Sequence, residues 1–382
     1  MQDAYFLYHS IGQYPGKADD LARAMAEFAT FWGAPDDGQW AEILPRRAAF
    51  IDRWRDIINA PEGSLTTCEN VTQGLHMLMT ALPEEKLKGK RVLVAGDCFP
   101  SNHFLLTKLQ ERLGFTLDTV SLRQGANWVE DEDFLKSWGP DVAVALLTWV
   151  SSTTSHRIDL PSLVAHGREM GSLIGVDITQ AAGLLPFDVS DPEIDFTIST
   201  SLKWMCGTPG AGILHAAPRL IAESSPELRG WFSQPDPFNW ALDKFELAPD
   251  IRRFDNGTPG CVAAIASLPA MDWHAAQDTA AILAQNRRHT ARIIEGVDDL
   301  GLDLITPRNE AARGGSIMIR LPDRPASEAV AALREDGIAT DGRGNILRLS
   351  PGVITSDAGV EAALEAMARL RLGSVQTSAA RG

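Results

Sequence analysis

Hydrophobic positions along this chain follow two rhythms. Four short runs are apolar with little interruption: RVLVAG (91–96), DVAVALLTWV (141–150), SLIGVD (172–177) and DFTIS (195–199). Between them lie segments whose apolar positions recur every three or four residues. The runs predict strands and the periodic segments predict helices. Continuously apolar strands belong to a mostly parallel sheet covered on both faces, because a half-exposed strand would alternate with polar residues. FTLDTVSL (115–122) and GAGILH (210–215) join them as strands, and helices are expected over 103–114, 131–139 and 160–171. A helix-like segment is expected between Asp177 and the DFTIS run.

The flanks read differently. Residues 5–16 form an extended piece and a turn. An amphipathic helix follows, with Asp19 or Asp20 near its cap and Gly33 as its stop. A second helix covers 46–60 and ends before Pro61. The stretch TTCENVTQGLHMLMTAL (66–82) is a polar loop entering a helix near Glu69 to Gln73. Residues 226–240, rich in Trp, Phe and Pro, form a long ordered loop. Helical sequence runs from Cys261 to about Leu300. SIMIRL, a helix over 326–336, NILRLSP and a last helix form a smaller α+β unit. The expected division is an N-terminal segment packing with the small unit (1–45), a large α/β/α three-layer domain (46–258), a small α+β domain (259–375) and a tail (376–382).

Composition narrows the function classes. The chain has 382 residues, 45% hydrophobic and 22% charged, with a formal net charge of −15. Such a charge opposes a general nucleic-acid surface. No apolar run reaches membrane-spanning length, and no basic stretch followed by an apolar one marks a signal peptide. The four cysteines are widely spaced without a metal-ligand pattern, so no metal site is expected and a cytoplasmic protein with reduced thiols is.

The candidate chemistry concentrates between residues 172 and 215. Asp177 ends one apolar run, and Lys203 follows the next in a Thr-Ser-Leu-Lys-Trp context. An acid at a strand end and a later lysine suit a cofactor held at both ends. In enzymes that use pyridoxal 5′-phosphate, a lysine forms the Schiff base and an aspartate partners the ring nitrogen. Ligands of such sheets sit at the carboxyl ends of the strands, which gathers Phe99, Thr148 and Asp177 around one crevice. The helix beginning near Val71 and Thr72 offers free amides and a positive dipole end to a phosphate, although an ordinary cap explains the same residues.

These residues occur in an order that resembles the fold-type I pyridoxal-phosphate enzymes of aminotransferase class V, and among them the kynureninase branch. The stretch from Asp177 to Gly212 is similar to the shared Asp…Asp-Phe…Ser-x-x-Lys…Gly-Pro-Gly pattern. ENVTQGLHMLM, DCFPSNHF, HSIG, LRGWF, FDNGTPG and GNILRLSPG resemble further segments of that branch. The resemblance implies roles for each. Lys203 would be the Schiff-base lysine and Asp177 the ring-nitrogen partner. Val71, Thr72, Thr200, Trp231 and Thr258 would surround the phosphate, the last two across a dimer interface. Phe99 would stack on the ring, Gln180 would reach its 3-oxygen, and Thr148 would line the site. Ser10 and Arg348 would face the substrate, the arginine gripping its α-carboxylate, for which a planar fork is suited.

Several positions depart from the kynureninase pattern. Leu202 stands where tyrosine precedes the lysine, Gln180 where histidine follows the aspartate, Asn102 where the branch has aspartate, and His9 where it has asparagine. Trp149 takes the place of a class V histidine. The resemblance thus implies a homodimeric enzyme acting on a small amino acid. Kynureninase-like hydrolytic Cβ–Cγ cleavage is favoured, and transamination or β-elimination are the alternatives; a binding protein without turnover is the remaining class. Cysteine desulfurization needs a thiolate on a C-terminal loop, and no cysteine follows Cys261.

Overall fold

The computed structural model describes residues 3–379. Its first half runs α1 (Lys17–Trp32), α2 (Gln39–Ile58), β1 (Leu65–Cys68), α3 (Val71–Met79), α4 (Glu84–Leu87), β2 (Arg91–Ala95), α5 (Pro100–Leu113), β3 (Thr116–Val120), α6 (Asp131–Ser137), β4 (Val142–Thr148), α7 (Leu160–Met170) and β5 (Leu173–Asp177). It continues with β6 (Phe196–Thr200), β7 (Gly212–Ala216), α8 (Pro218–Glu223), α9 (Val262–Ala275), α10 (Thr279–Asp299), β8 (Asp303–Leu304), β9 (Ile317–Arg320), α11 (Ala326–Glu335), β10 (Asp341–Arg343), β11 (Ile346–Leu349) and α12 (Asp357–Ala379).

Seven strands form one sheet in the order β1-β7-β6-β5-β4-β2-β3. β3, β2, β4, β5 and β6 are parallel, while β7 runs antiparallel to both β6 and β1. The continuous apolar runs have a direct cause. On β4, Ala145 and Leu147 pack on one face with Phe50 and Trp54 of α2, Leu163 of α7 and Met271 of α9. Val144 and Leu146 point to the other face, with Leu75 and Leu78 of α3 and Leu106 of α5. Both faces are covered, so both sets of alternate residues are apolar.

A second sheet, β10-β11-β9-β8, is antiparallel throughout. Its core joins Ile317, Ile319, Leu347 and Leu349 to Ile293 of α10, Leu333 of α11 and Leu364 of α12. Phe6 belongs to this core too, and the chain start bridges to it through Tyr5–Ala339 and Leu7–Ser350.

Some local expectations need correction. β1 lies in what reads as a polar loop; Thr66 and Thr67 give it no apolar signature, and its pairing with β7 supplies the missing stabilisation. α2 begins at Gln39 and carries Pro45 inside it. Packing of its buried Ile43 on Cys261 and Ile265 offsets the donor lost at the proline. α1 starts at Lys17 after Gly16, so Asp19 and Asp20 lie in its first turn rather than at its cap. The segment between Asp177 and β6 is a series of turns, not a helix. α12 continues to Ala379, into the stretch expected as tail. Among the described residues no helix is long and apolar enough to cross a membrane.

Candidate active site

A cavity of about 700 Å³ opens at the carboxyl ends of β4, β5 and β6. Their last residues are Thr148, Asp177 and Thr200, and Thr148 and Asp177 are register partners. All three line the cavity, with Val71, Thr72, Phe99, Gln180 and Lys203. Eight of the twelve residues expected at the site therefore meet in one place. β2 and β4 are adjacent here although β3 comes between them in the chain, so the site lies at a switch in strand order, where loops diverge and leave a crevice.

Asp177 is buried, and both of its oxygens are engaged. Asn102 Nδ2 donates to Oδ2 at 3.1 Å, and the Thr179 amide donates to Oδ1 at 3.0 Å. Lys203 Nζ lies 5.5 Å from the centroid of the Phe99 ring. Burial lowers its pKa from 10.5 to about 8; Asp177 opposes that shift, and the positive charges of Arg348 and Arg343 add to it. Phe99 is the residue before α5, held there by the proline that starts the helix. α3 is capped by Asn70, whose side chain accepts from the Gln73 amide at 3.0 Å. The amides of Val71 and Thr72, at its first two positions, have no acceptor within the helix.

The N-terminal segment closes one side. Gly12 donates to the Leu202 carbonyl at 2.9 Å. A Cβ on Gly12 would fall 1.8 Å from the Lys203 carbonyl oxygen, so only glycine lets the two backbones approach. Gln180 Nε2 donates to the His9 carbonyl at 3.1 Å. The His9 ring is buried, with Nε2 2.7 Å from Asp341 Oδ1 and Nδ1 2.6 Å from Ser350 Oγ. Burial lowers its pKa to about 4 against the opposing pull of Asp341, so near neutral pH the ring is uncharged and its Nε2–H donates to the carboxylate. Arg348 is buried beside it. Its Nε donates to Asp341 Oδ1 at 2.8 Å, and its Nη2 donates to Oδ2.

Four expected residues lie off the cavity wall. Ser10 sits in the turn after His9, its amide donating to the Leu7 carbonyl at 2.8 Å. Arg348 stands behind His9 and Asp341. Trp231 packs against Trp40 and Phe232 beside a separate cavity, and Thr258 lines a third one with Arg47 and Asp255. One chain does not bring Trp231 or Thr258 to Lys203. Asp341 and Arg343 escaped the sequence reading. Only one side of the Gly344-Asn345 turn is apolar-rich, the ILRL of β11; β10 is Asp-Gly-Arg and gives no strand signal, so the hairpin that sets Asp341 opposite Arg348 is not marked in the sequence.

The sequence profile of the family described as Aminotransferase class-V matches residues 51–349. The chain belongs to that family. Within it the chain is kynureninase-like. It is 24% identical over 375 residues to the kynureninase of Salinispora tropica, covering 92% of this chain and 86% of that one. It is also 25% identical over 320 residues to the isopenicillin N epimerase of Streptomyces clavuligerus, covering 79% of each. Among solved structures, the apo cysteine desulfurase of Thermococcus onnurineus superposes with a TM-score of 0.85 at 20% identity, over 97% of this chain and 94% of that one. The architecture is therefore that of fold-type I.

Pyridoxal 5′-phosphate is the cofactor of this family, and the cavity fits it. The hydroxyls of Thr148, Thr179 and Thr200, which line the cavity, are buried without a hydrogen-bond partner among the described residues, and so is Oδ1 of Asn102, which stands behind the wall against Asp177. Buried polar groups are normally paired, so these four await one. A carboxylate with both oxygens fixed and a lysine of lowered basicity are the donor set for a ring nitrogen and an aldehyde.

Proposed function

We propose that this protein is a pyridoxal-phosphate-dependent hydrolase that cleaves the Cβ–Cγ bond of an amino acid, as the kynureninases do. The observation that supports the cofactor chemistry is Lys203, a buried amine beside the Phe99 ring and within the field of Asp177, and the likeness to kynureninases favours cleavage among its outcomes. At pH 8 about half of such lysines are neutral, against about one in three hundred for an ordinary lysine. Lys203 would hold the cofactor covalently. When not bound to the cofactor, it would serve as the base for the Cα proton. When bound, the cofactor draws electrons from the bonds at Cα. Asp177 would hold a proton on the ring nitrogen. Phe99 would stack on the ring, and Gln180 would reach the 3-oxygen. Val71, Thr72 and Thr200 would hold the phosphate, and Thr148 would contact the cofactor from the end of β4. Ser10 and Arg348 would take the substrate carboxylate. Leu202 can neither give nor take a proton, so no proton transfer is available at its position.

Gln180 favours a second reading, transamination, because that residue type follows the aspartate in many class V aminotransferases; β-elimination is a third. No cysteine lines the cavity, so thiolate chemistry has no support there. Trp231 and Thr258 would serve the cofactor of a second copy across a homodimer interface, where the exposed Phe238, Trp240 and Leu242 would also be covered. Four free cysteines suit a reducing, cytoplasmic setting.

Products decide between the reactions. The reconstituted enzyme is incubated with kynurenine, 3-hydroxykynurenine and a panel of amino acids, with and without keto acids. An aromatic amine acid plus alanine supports hydrolysis; a keto acid without it supports transamination. Wild-type protein that shows no absorbance band of lysine-bound cofactor would overturn the reading altogether.

A further inference from the structure

Two arginines share one face of the β10–β11 ribbon. Asp341 is opposite Arg348 in register and Arg343 is opposite Ile346. Arg343 and Arg348 are therefore diagonal neighbours, with Cβ atoms somewhat less than about 7–8 Å apart. Their charges are not equivalent. Arg348 is buried and tied side-on to Asp341. Arg343 is exposed, and among the described residues no carboxylate pairs with it. Its guanidinium carbon lies 6.0 Å from the centroid of Phe99, the ring that Lys203 approaches from within the cavity. Both guanidiniums are near enough to Lys203 to disfavour its charge.

The charges can be matched. Asp177 faces Lys203, Asp341 faces Arg348, and the His9 ring is neutral. Arg343 is left over, a cation at the Phe99 side of the site with no internal anion. We propose that Arg343 joins Arg348 in holding the α-carboxylate of the amino-acid substrate and supplies the net positive charge of that contact. Arg348, whose charge Asp341 cancels, contributes directed hydrogen bonds from its remaining Nη1. The division makes Arg343 the residue that distinguishes a carboxylate from a neutral amide, since the carbonyl oxygen of an amide can still accept from Arg348 but offers no charge to Arg343.

This inference rests on the reading that an amino acid binds at Lys203, and the test separates the two. Holoenzyme is titrated by calorimetry with propionate, propionamide and glutarate, none of which has an α-amine to react. The cofactor absorbance is recorded on the same samples. Arg343→Gln is expected to weaken propionate about tenfold or more and leave propionamide unchanged, and Arg343→Lys to recover part of the loss. Added salt is expected to weaken propionate in wild type more than in Arg343→Gln. Equal propionate affinity in wild type and Arg343→Gln, with the cofactor band present, overturns the role of Arg343 alone. So does a loss confined to glutarate, which would put Arg343 on a side-chain carboxylate. Absence of the band in wild type overturns both readings.

Discussion

The two sides of the Lys203 cavity are built in opposite ways. The side made by the ends of β4–β6 with the start of α5 behind them holds unmet polar groups: the hydroxyls of Thr148, Thr179 and Thr200, and Asn102 Oδ1. The side made by the N-terminal segment with β10 and β11 is paired from within, through His9, Asp341, Arg348, Ser350 and Ser316. A buried unpaired group costs about 1–3 kcal/mol. The first side therefore gains stability when its ligand arrives, whereas the second keeps its shape without one. The proposed cofactor side is unfinished by itself, and the proposed substrate side is finished except for one surplus cation.

The strongest way to break the contrast is to remove Lys203. Lys203→Ala is expected to lose the lysine-bound cofactor band and to lower turnover on the order of 10³-fold. The same lysine also costs the unliganded fold. Its folded pKa of about 8 lies below the ordinary 10.5, so between those values the folded state binds fewer protons than the unfolded one. Stability then rises as the pH goes from about 8 to 10.5. In cofactor-free protein, Lys203→Met should flatten that rise and stabilise by roughly 3 kcal/mol at pH 7. Denaturant unfolding at pH 7 and 10 measures both. A flat wild-type profile would mean that Lys203 is less buried than its surroundings imply.

Gly12 joins the two sides, and Gly12→Ala tests whether they are one rigid body. The new methyl would meet the Lys203 carbonyl at 1.8 Å and Cys206 Sγ at 2.8 Å. The backbone has to shift, at roughly 3 kcal/mol in urea unfolding, with weakened cofactor binding. If stability falls but cofactor affinity holds, the N-terminal segment seals the cavity without shaping the lysine loop.

Asp341→Asn loosens the substrate side alone. Removing the charge leaves Arg348 unbalanced in a buried place, and roughly 2 kcal/mol is expected, the low side for such a pair because Asp341 is partly exposed. Burial pushes the Asp341 carboxyl up, but His9 and Arg348 outweigh it and hold it at about 2. Its stabilising contribution is therefore complete above about pH 4 and lost as the pH falls from there toward 2. Acid titration of stability in wild type and Asp341→Asn should converge across that window while cofactor affinity at neutral pH stays the same.

The same contrast explains what the sequence could disclose. The cofactor side rests on strand ends, and strand ends are visible as the places where apolar runs stop: Thr148, Asp177 and Thr200 each close one. Its polar groups point at the ligand rather than at one another, so no partner had to be guessed. The substrate side rests on pairings between His9 and residues more than 330 positions later. Nothing in a local pattern marks such partners, and a histidine in an extended segment reads alike whether it is solvated or locked. The places of Trp231 and Thr258 were not legible, because a loop without periodicity carries no information about its path.

Asn102 offers the finest test of the cofactor side, because two effects of removing it oppose each other. Its Nδ2 donates to Asp177, while its Oδ1 is one of the unmet acceptors. Asn102→Leu has nearly the same volume. It removes a hydrogen bond to a carboxylate, worth about 1.5–3 kcal/mol, and with it an unpaired acceptor that costs about 1–3 kcal/mol. In the cofactor-free protein the two nearly cancel, so unfolding free energy should move by less than about 1 kcal/mol. In the loaded protein the lost bond would loosen Asp177 where it is proposed to hold the ring nitrogen, and affinity for pyridoxal phosphate should fall about three- to tenfold by absorbance titration. Stability and affinity would thus separate in one variant. If they fall together, Asn102 is part of the packing and the acceptors of this side are not waiting for a ligand.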